Sequence, residues 1–325
     1  MVKIRMMTTS KSDVIIPLAG GLGNQLFQFA FGLYLERVLG YKVTFDCDLG
    51  TPRKVDDSVV LSKLDIPDIE KFCLKEKIFF KRILQKCYGW NLVHALKVNS
   101  KTTVKSLTIK TLSQSFLRIF FGRGRFIYSS KDLGFDESLS IQKNSLYIGY
   151  FQTYIFAGNS KVYEYLKCIK LKDTSKKYFK ILNEIHKEKP FLVHIRLTDY
   201  TSEKNFGIPS LDYYNDAIRH LCQNSCSRPI WVISDDIGQA RTYFSSISNE
   251  FKMKFLDQRD LSDLEVWSLM REFSGYVLSN SSFAWWAAFL RKDAASKVYA
   301  PEPWFHGMNS PNHLLPKSWV RVRSL

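Results

Sequence analysis

The sequence predicts an α/β protein made of two Rossmann-like domains that face a cleft. Short apolar runs with the spacing of strands alternate along the chain with longer runs that have the spacing of helices. A glycine-rich turn joins the first strand to the first helix. The chain has 325 residues, about the length of two domains of roughly 150 residues each. We therefore expect an N-terminal domain over residues 1–160 and a C-terminal domain over residues 161–325.

Composition narrows the classes of function and the location. Hydrophobic residues make up 45% of the chain, which is typical of a globular protein with a substantial core. The net charge of +16 indicates an anionic partner, such as a phosphorylated substrate, an acidic lipid or a nucleic acid. Six sparse, irregularly spaced cysteines are typical of a reducing compartment. Because no apolar run reaches about 18 residues and no signal peptide is evident, we expect a cytoplasmic protein.

The first α/β unit contains the glycine-rich turn. The apolar pattern predicts a strand over residues 14–18, a helix over 26–39 and a second strand over 41–46. In the turn between them, Gly21 and Gly23 allow the backbone to approach a ligand closely, and the helix that follows attracts negative charge at its N-terminus. Asn24 and Gln25 offer uncharged hydrogen-bonding groups suited to sugar hydroxyls. The alternative is a plain tight turn without a ligand.

Most of the excess charge lies in one stretch, residues 71–126. It holds 13 basic residues and one acid, and large apolar residues lie between them at helical spacing. This pattern favours helices that lie on an anionic membrane surface. Two alternatives stay open, an ordinary amphipathic helix pair packed on the domain and a nucleic-acid surface.

After this stretch, strands and helices continue to alternate. A strand is predicted over residues 145–152, and we place the crossing between the domains near 155–175. The second half then contains predicted strands at 191–193, 230–233, 251–256 and 298–301, and a short strand that begins at residue 276. Helices are predicted at 211–221 and 263–272, and a third helix ends at residue 290. We expect the strand at 298–301 to be the last one.

A burst of polar residues follows the strand at 191–193. His194, Arg196, Thr198 and Asp199 come within six positions. Ligands of parallel α/β sheets bind beyond the carboxyl ends of the strands, and the period of two places His194 and Arg196 on one face. The permanently charged, forked guanidinium of Arg196 suits a phosphate. The alternative is a strand with a solvated end.

Two further strands end in polar residues. Asp235 and Asp236 would suit a metal ion, but neighbouring side chains do not generally converge and aspartate commonly begins a helix, so we do not expect a metal there. The residues Ser279, Asn280, Ser281 and Ser282 precede an apolar helix. Their hydroxyls and the free backbone N–H groups are suited to a diphosphate.

Four blocks, in this order, resemble those of the α-1,2-fucosyltransferases, the family 11 glycosyltransferases that include bacterial O-antigen enzymes. The blocks are GGLGNQLFQFA (20–30), HIRLTDY (194–200), SDD (234–236) and SNSSFAWWAAFL (279–290). The resemblance covers most of the chain and implies a GT-B-like fold. It departs from the usual pattern at Thr198, where the family has glycine; core α-1,6- and protein O-fucosyltransferases carry threonine there.

The resemblance implies an inverting transfer of L-fucose from GDP-β-L-fucose to the 2-hydroxyl of a terminal galactose. Arg196 with Ser281 and Ser282 would stabilise the leaving β-phosphate, and His194 would contact guanine. Asp199 is either the catalytic base or a residue that orients the loop. The residues expected to contact the donor are His194, Arg196, Gly21, Gly23, Asn24, Gln25, Asn280, Ser281, Ser282 and Phe283. No metal and no further cofactor are expected.

The acceptor implied by this family is a galactose-terminated oligosaccharide of a lipid-linked bacterial glycan. Such an acceptor agrees with peripheral contact of residues 71–126 with the inner face of the cytoplasmic membrane. Two other classes of protein are less suited to the sequence. A nucleic-acid-binding protein would leave the four blocks unexplained, and a lectin-like module would not need Arg196 at a strand end. Within the enzyme class, the alternatives are a different linkage or another GDP-sugar.

Overall fold

A computed structural model describes residues 13–18, 20–46, 60–67, 126–129, 133–135, 139–198, 205–223 and 228–325. These residues form two parallel sheets with helices packed against them. The predicted α/β class is therefore confirmed, and the two parallel sheets agree with the expected GT-B-like architecture. Most of the stretch 71–126, like Asp199 and Tyr200, lies outside the described residues.

The described strands are β1 Val14–Pro17, β2 Val43–Asp46, β3 Leu64–Asp65, β4 Phe126–Ser129, β5 Ser145–Ile148, β6 Lys170–Leu171, β7 Phe191–Ile195, β8 Ile230–Ser234, β9 Met253–Phe255, β10 Tyr276–Val277, β11 Val298–Glu302 and β12 Val320–Arg323. The described α-helices are α1 Leu22–Arg37, α2 Tyr154–Ala157, α3 Ser160–Lys167, α4 Lys176–Glu188, α5 Leu211–Cys222, α6 Ile237–Tyr243, α7 Asp263–Met270 and α8 Ser282–Phe289. A 3-10 turn, Val60–Lys63, precedes β3.

The strands assemble into two parallel sheets and one short ladder. The first sheet has the order β2-β1-β5-β4, and the second has the order β12-β11-β10-β7-β8-β9. All their pairings are parallel. The third ladder is antiparallel and pairs β3 with β6. Strand β7 lies inside the second sheet, and helices cover both faces of that sheet. All five residues of β7 are therefore buried.

Helix α1 joins the two halves of the molecule. Twelve of its 16 residues are buried, as expected of a helix that is apolar on nearly all sides. Its aromatic residues belong to one continuous apolar core that also includes residues of both parallel sheets and of α8. Phe27 packs against Trp285 and Trp286, with ring centroids 4.6 Å and 4.8 Å apart. The first and second sheets are therefore connected by α1 and α8.

The structure corrects the predicted bounds most clearly in three places. Strand β5 ends at Ile148 rather than at residue 152. Helix α1 begins at Leu22 rather than at residue 26, so Gly23, Asn24 and Gln25 lie in its first turn and not in a loop. Strand β11 is not the last strand, because Val320–Arg323 forms β12 beside it. The alternating Val-Arg-Val-Arg of this edge strand lacks the apolar run that marks the buried strands, since an edge strand buries only part of its surface.

No helix among the residues that the structure describes is long and apolar enough to cross a membrane.

Candidate active site

The carboxyl ends of β7, β8 and β10 meet at one edge of the second sheet. These strands are neighbours in the order β10-β7-β8, with Val277 beside Val193 and Ile195 beside Ser234. The polar residues after the three strands are therefore brought together by the fold. This edge is the place where ligands bind in open parallel sheets.

His194 is the second-to-last residue of β7 and is buried. Its Nδ1 is 2.8 Å from Oγ of Ser279, the residue two positions after β10. Its carbonyl oxygen accepts a hydrogen bond from the Tyr214 hydroxyl at 3.2 Å. Burial lowers the pKa of His194, the charge of Asp235 opposes this and the charge of Arg196 adds to it, and together they place the pKa at about 3. The imidazole is therefore neutral at physiological pH.

Arg196 is followed by a turn at Thr198, and Asp235 holds this part of the backbone in place. The Asp235 carboxylate accepts hydrogen bonds from the N–H of Leu197 at 2.8 Å and the N–H of Thr198 at 3.2 Å, and a third from the Thr198 hydroxyl. Burial alone raises the pKa of Asp235, but these hydrogen bonds and the charge of Arg196 outweigh it, and the pKa is lowered. The ionised carboxylate thus orients the backbone that carries Arg196.

Asp235 and Asp236 have separate roles. Asp236 is the N-cap of α6, and its carboxylate accepts hydrogen bonds from the N–H and the side-chain amide of Gln239 at 2.9 Å and 2.8 Å. The two acids therefore point to different partners. Within the described part of the chain, no group of three or more His, Cys, Asp or Glu side chains is placed to hold a metal ion.

Helix α8 begins at the same edge, and its N-terminus lacks a side-chain cap. Its N-cap is Ser281, which is 1% exposed and makes no capping hydrogen bond. The backbone N–H groups of its first turn, which includes Ser282 and Phe283, therefore receive no side-chain acceptor from the N-cap, and the helix dipole favours an anion there. Asn280 donates from Nδ2 to the carbonyls of Phe206 and Gly207 at 2.8 Å and 2.9 Å. It positions the backbone of the loop at 205–210.

Helix α1 also lacks a side-chain cap, and its N-terminus packs against that of α8. Its N-cap is Gly21, which has open space around it. A Cβ on Gly23 would lie 2.5 Å from the carbonyl carbon of Ser282 and 2.7 Å from the nitrogen of Phe283. Six other α-helices in the described ranges have a side-chain cap at the N-cap position. The two uncapped termini are thus in direct contact.

The polar residues of the first turn of α1 contact other parts of the chain. Asn24 Oδ1 accepts from Gln152 Nε2 at 2.9 Å and from the Ser282 hydroxyl at 3.4 Å, which connects the two halves of the molecule. Gln25 is 2% exposed, donates to the carbonyl of Gly20 at 2.7 Å and accepts from the N–H of Leu61 at 3.3 Å. These contacts are those of a packing residue. The proposed contacts of Gln25 with the donor stay a prediction.

A cavity of about 410 Å³ opens beside Asp235, between the loops after β8 and β9. Phe255 forms one wall, and the guanidinium of Arg241 lies 4.6 Å from the centre of its ring. The other lining residues are Ser234, Asp235, Ile237, Asp257, Gln258 and Arg259. Its size and its mixture of aromatic, cationic and acidic groups suit a nucleoside.

Gln152, Gln258 and His306 were not among the site residues predicted from the sequence. Gln152 follows β5 and Gln258 follows β9, so both obey the rule that polar residues after strands mark the binding edge. Gly207 has a φ of +68° and its Cβ position is filled by the ring of His306, 2.4 Å away. No local sequence signal joins residues 207 and 306. Only the tertiary structure places this histidine beside the loop that Asn280 holds.

Of the residues expected to contact the donor, the structure brings most to one region. His194 and Arg196 lie at the end of β7, and Asn280, Ser281, Ser282 and Phe283 lie at the start of α8. Gly21, Gly23 and Asn24 reach the same region from the other half of the chain, through the contact between α1 and α8. Asp199, the candidate base, lies outside the described residues.

Two parallel sheets, an uncapped helix terminus and an arginine at one strand edge define an α/β protein whose candidate site suits an anionic ligand. Comparison with known proteins gives the family. The model of glycosyl transferase family 11 matches residues 90–320. The chain belongs to this glycosyltransferase family, which confirms the family indicated by the four sequence blocks.

Two curated relatives come from Escherichia coli. An α-1,2-colitosyltransferase is 28% identical over 321 residues, which cover 96% of this chain and 99% of the relative. The O-antigen biosynthesis glycosyltransferase WbnK is 24% identical over 329 residues, which cover 94% of this chain and 99% of the relative. The chain is therefore similar over nearly its whole length to two bacterial glycosyltransferases, one of which is named for O-antigen biosynthesis.

Two fucosyltransferases are among the solved structures that this chain matches. The structure of NodZ from Bradyrhizobium has a TM-score of 0.47 and 14% identity, and the match covers 87% of this chain and 94% of NodZ. The structure of POFUT1 in complex with GDP-fucose has a TM-score of 0.45 and 12% identity, with 89% and 97% coverage.

Proposed function

We propose that this protein is an inverting glycosyltransferase that moves L-fucose from GDP-β-L-fucose to the 2-hydroxyl of a terminal galactose. The acceptor would be the oligosaccharide of a lipid-linked bacterial glycan. The observation that carries the proposal is the position of Arg196 at the same sheet edge as the uncapped N-terminus of α8. A guanidinium and free N–H groups at one edge form a site for a diphosphate.

In this reaction, the galactose 2-oxygen forms a bond to the anomeric carbon of fucose as the bond from that carbon to the β-phosphate oxygen breaks, and the leaving GDP gains negative charge. Arg196 and the first turn of α8 would stabilise that charge. Because the Asp235 carboxylate fixes the turn that carries Arg196, the guanidinium would be in place before the charge develops.

The nucleoside would occupy the cavity lined by Phe255, Arg241 and Asp235. A planar base would stack against the ring of Phe255 and the guanidinium of Arg241. His194 pairs in register with Ile233, one position before Ser234 in the cavity wall. This neighbourhood supports a contact of His194 with guanine.

The acceptor hydroxyl must lose a proton during the displacement. Asp199 follows the Arg196 turn by one residue and is our candidate for the base, with orientation of the loop as its alternative role. The two roles are separated by comparing Asp199→Asn with the wild type. Loss of transfer with unchanged GDP affinity in calorimetry would indicate the base, and weaker GDP binding as well would indicate the orienting role.

The E. coli α-1,2-colitosyltransferase favours a second candidate donor. Colitose is L-fucose without its 3-hydroxyl, so the two GDP-sugars differ by a single polar group. A site that hydrogen-bonds this hydroxyl would reject colitose strongly, whereas an apolar site would discriminate only weakly. Initial rates with GDP-fucose and GDP-colitose, measured with the same galactoside, distinguish the two candidates.

The donor site is tested through Arg196. Arg196→Ala should lower kcat by on the order of 10²–10³, as for the loss of one transition-state donor, and Arg196→Lys should recover little because an ammonium lacks the forked geometry. Arg219→Ala is the control, since Arg219 is an exposed arginine of α5 that pairs with Glu250 at 2.7 Å. Transfer by Arg196→Ala at the wild-type rate would contradict the proposed site.

The acceptor and its linkage are tested with a panel of β-galactosides that differ in the sugar next to galactose. Formation of a product whose fucose is attached to the 2-hydroxyl supports the proposal. A product with another linkage would contradict the proposed linkage and favour the alternative of an enzyme that forms a different linkage. Binding of the galactosides without transfer would favour a lectin-like module.

The proposal includes peripheral contact of residues 71–126 with the inner face of the cytoplasmic membrane. Lys81, Arg82 and Lys86 are the residues to change, each to Glu. Wild-type protein should bind phosphatidylglycerol vesicles less tightly as salt rises, and the triple variant should bind them less tightly than the wild type. Salt-insensitive binding would contradict this contact.

A further inference from the structure

One face of α4 is a stripe of lysines around an exposed phenylalanine. Lys176, Phe179, Lys180, Asn183 and Lys187 follow each other at spacings of 3, 1, 3 and 4 residues, which places them on the same face of the helix. All five are exposed, and Phe179 is 53% exposed. We call this set the Phe179 stripe. It is distinct from residues 71–126.

The opposite face of α4 fixes the direction of the stripe. Tyr178, Ile181 and Ile185 are buried in the main apolar core. The stripe therefore points away from the protein. Among the exposed large hydrophobic residues of the described ranges, Phe179 is the one aromatic residue. A single exposed apolar residue is ordinary, and it is the lysines around Phe179 that distinguish this one.

The lysines of the stripe are not neutralised by the protein. Lys176, Lys180 and Lys187 make no ion pair within the described part of the chain. The acids of the same helix, Glu184 and Glu188, instead pair with Lys254 of β9, at 3.0 Å and 3.7 Å. The positive charge of the stripe is thus available to a partner.

The stability of α4 does not account for these lysines. Lys176 lies in the first turn, where the positive end of the helix dipole disfavours a cation. Lys176 and Lys180 are four residues apart, a spacing at which like charges repel. An anionic surface outside the protein would make both arrangements favourable.

We propose that the Phe179 stripe docks this protein on an anionic lipid bilayer. An aromatic side chain enters the boundary between headgroups and acyl chains, while the flanking lysines contact anionic headgroups. Nucleic-acid surfaces rely strongly on arginine, whose fork matches phosphate, and the stripe contains none. The proposal goes beyond the proposed function and does not depend on the identity of the donor or acceptor.

The stripe begins next to the candidate active site. Lys177, the neighbour of Lys176, donates to the carbonyl of Arg259 and lies 3.9 Å from the Asp257 carboxylate. Arg259 and Asp257 both line the cavity beside Asp235. Docking through the stripe would therefore bring this edge of the second sheet close to the headgroups.

The test is vesicle flotation of the full-length protein at low and high salt. We expect binding to phosphatidylcholine vesicles that contain phosphatidylglycerol, no binding to phosphatidylcholine alone, and release at high salt. Changing Lys176, Lys180 and Lys187 together to Glu should weaken binding by about 100-fold or more, from the usual contribution of a basic residue near an anionic surface. Phe179→Ala should weaken it on the order of tenfold.

A matched variant separates the stripe from net charge. Three exposed lysines lie outside α4: Lys292 follows α8, Lys297 precedes β11 and Lys317 precedes β12. Changing these three to Glu alters the net charge of the protein equally, and binding should stay within a few fold of wild type. Circular dichroism and thermal unfolding check that every variant is folded, which the exposure of the changed residues leads us to expect.

Four results would overturn the proposal. The first is vesicle binding by the stripe variants that equals that of the wild type, and the second is a loss of binding in the matched variant as large as that in the stripe variants. The third is binding to phosphatidylcholine alone that equals binding to the mixed vesicles. The fourth is binding of a single-stranded oligonucleotide in the absence of vesicle binding, which would assign the stripe to nucleic acid. If only Lys81, Arg82 and Lys86 are required, the contact belongs to residues 71–126 instead.

Discussion

Thr198 is the residue at which this chain departs from the pattern of the α-1,2-fucosyltransferases. Its hydroxyl and its N–H both donate to the carboxylate of Asp235. A glycine would keep only the bond from its N–H. The threonine therefore gives the backbone after Arg196 one more hydrogen bond to Asp235, at the end of the neighbouring strand. This bond is a physical reason for threonine in place of the family's glycine.

Replacing Thr198 tests this connection. Thr198→Val keeps the shape of the side chain and removes the hydroxyl, so GDP should bind about tenfold more weakly because a hydrogen bond to a charged group is lost. Thr198→Ser retains the hydroxyl and is the matched control. Calorimetric titration of GDP measures both variants. Equal affinity of the valine and serine variants would show that the bond does not position Arg196.

His194 gives the protein a predictable dependence of stability on pH. Burial lowers its pKa in the folded state to about 3 from an ordinary value of 6.5, so the unfolded chain takes up a proton first as the pH falls. Stability contributed by the neutral imidazole is present above pH 6.5 and is lost progressively down to about pH 3.

We expect the free energy of unfolding of the wild type to fall more steeply than that of His194→Asn across this range. The difference in slope should be up to about 1.4 kcal/mol per pH unit, the value for one proton. Urea titrations at a series of pH values measure it. The slope, not the absolute stability, is the readout, because the substitution itself changes packing. Parallel slopes would contradict a buried, neutral His194.

At the scale of elements, the notable contact is that between the N-termini of α1 and α8. The indole N–H of Trp286 donates to the carbonyl of Gly23 at 2.9 Å, and the backbones approach closely because Gly23 has no side chain. Neither helix has a side-chain cap. The glycines of the turn thus serve two purposes, close helix packing at Gly23 and an open N-cap at Gly21.

Two glycine substitutions separate these purposes. Gly23→Ala should lower the free energy of unfolding by about 1–3 kcal/mol or more, because its Cβ would lie 2.5 Å from the backbone of Ser282. Gly21→Ala is the control, since nothing lies within 4 Å of its Cβ position. Urea unfolding measures both. Similar stability of the two variants would contradict the close contact as the cause.

The same helix terminus leads to a prediction about metal. If Arg196 and the N–H groups of α8 neutralise the diphosphate, transfer should keep nearly its full rate in excess EDTA. Initial rates with and without EDTA, followed by addition of Mg²⁺ or Mn²⁺, measure this. Activity that is lost in EDTA and restored by either ion would require a new assignment for Asp235 and Asp236.

At the scale of the whole molecule, the two parallel sheets share a core. Apolar residues of the first sheet, of α1, of α8 and of the second sheet form one continuous cluster. A second cluster covers the other face of the second sheet, on the side of α5 and α6. Because α1 is buried between the two halves, separating the halves would expose α1 to water and remove much of its apolar contact.

We expect the two halves to open together. Amide hydrogen exchange should give the amides of α1 and those of β7 opening free energies that agree within about 1 kcal/mol. Tyr213 and Tyr214 of α5 are buried in the cluster that covers the other face of the second sheet, so the amides of α5 serve as the internal reference. Exchange of α1 at a much lower free energy than β7 would show that the first half opens independently.

The sequence by itself determined the class of fold, most strands and helices of the second half, and the family. Buried strands such as Phe191–Ile195 and the capped start of Asp263–Met270 carry strong local signals, an apolar run in one case and a capping box with Glu265 in the other. The polar residues after β7 and β10 were also predicted, because their places at strand ends follow from the order of the elements.

Only the tertiary structure decided which of these residues contact each other. Asp235 and Thr198 are 37 residues apart, and Asn24 and Ser282 are 258 residues apart. Gly23 looked like a loop glycine, although it lies in a helix against a second helix. Strand β12 depends on its pairing with β11 rather than on its own alternating sequence. Propensity acts over a few residues, whereas contacts across the sheet edge and between helices depend on how the whole chain is folded.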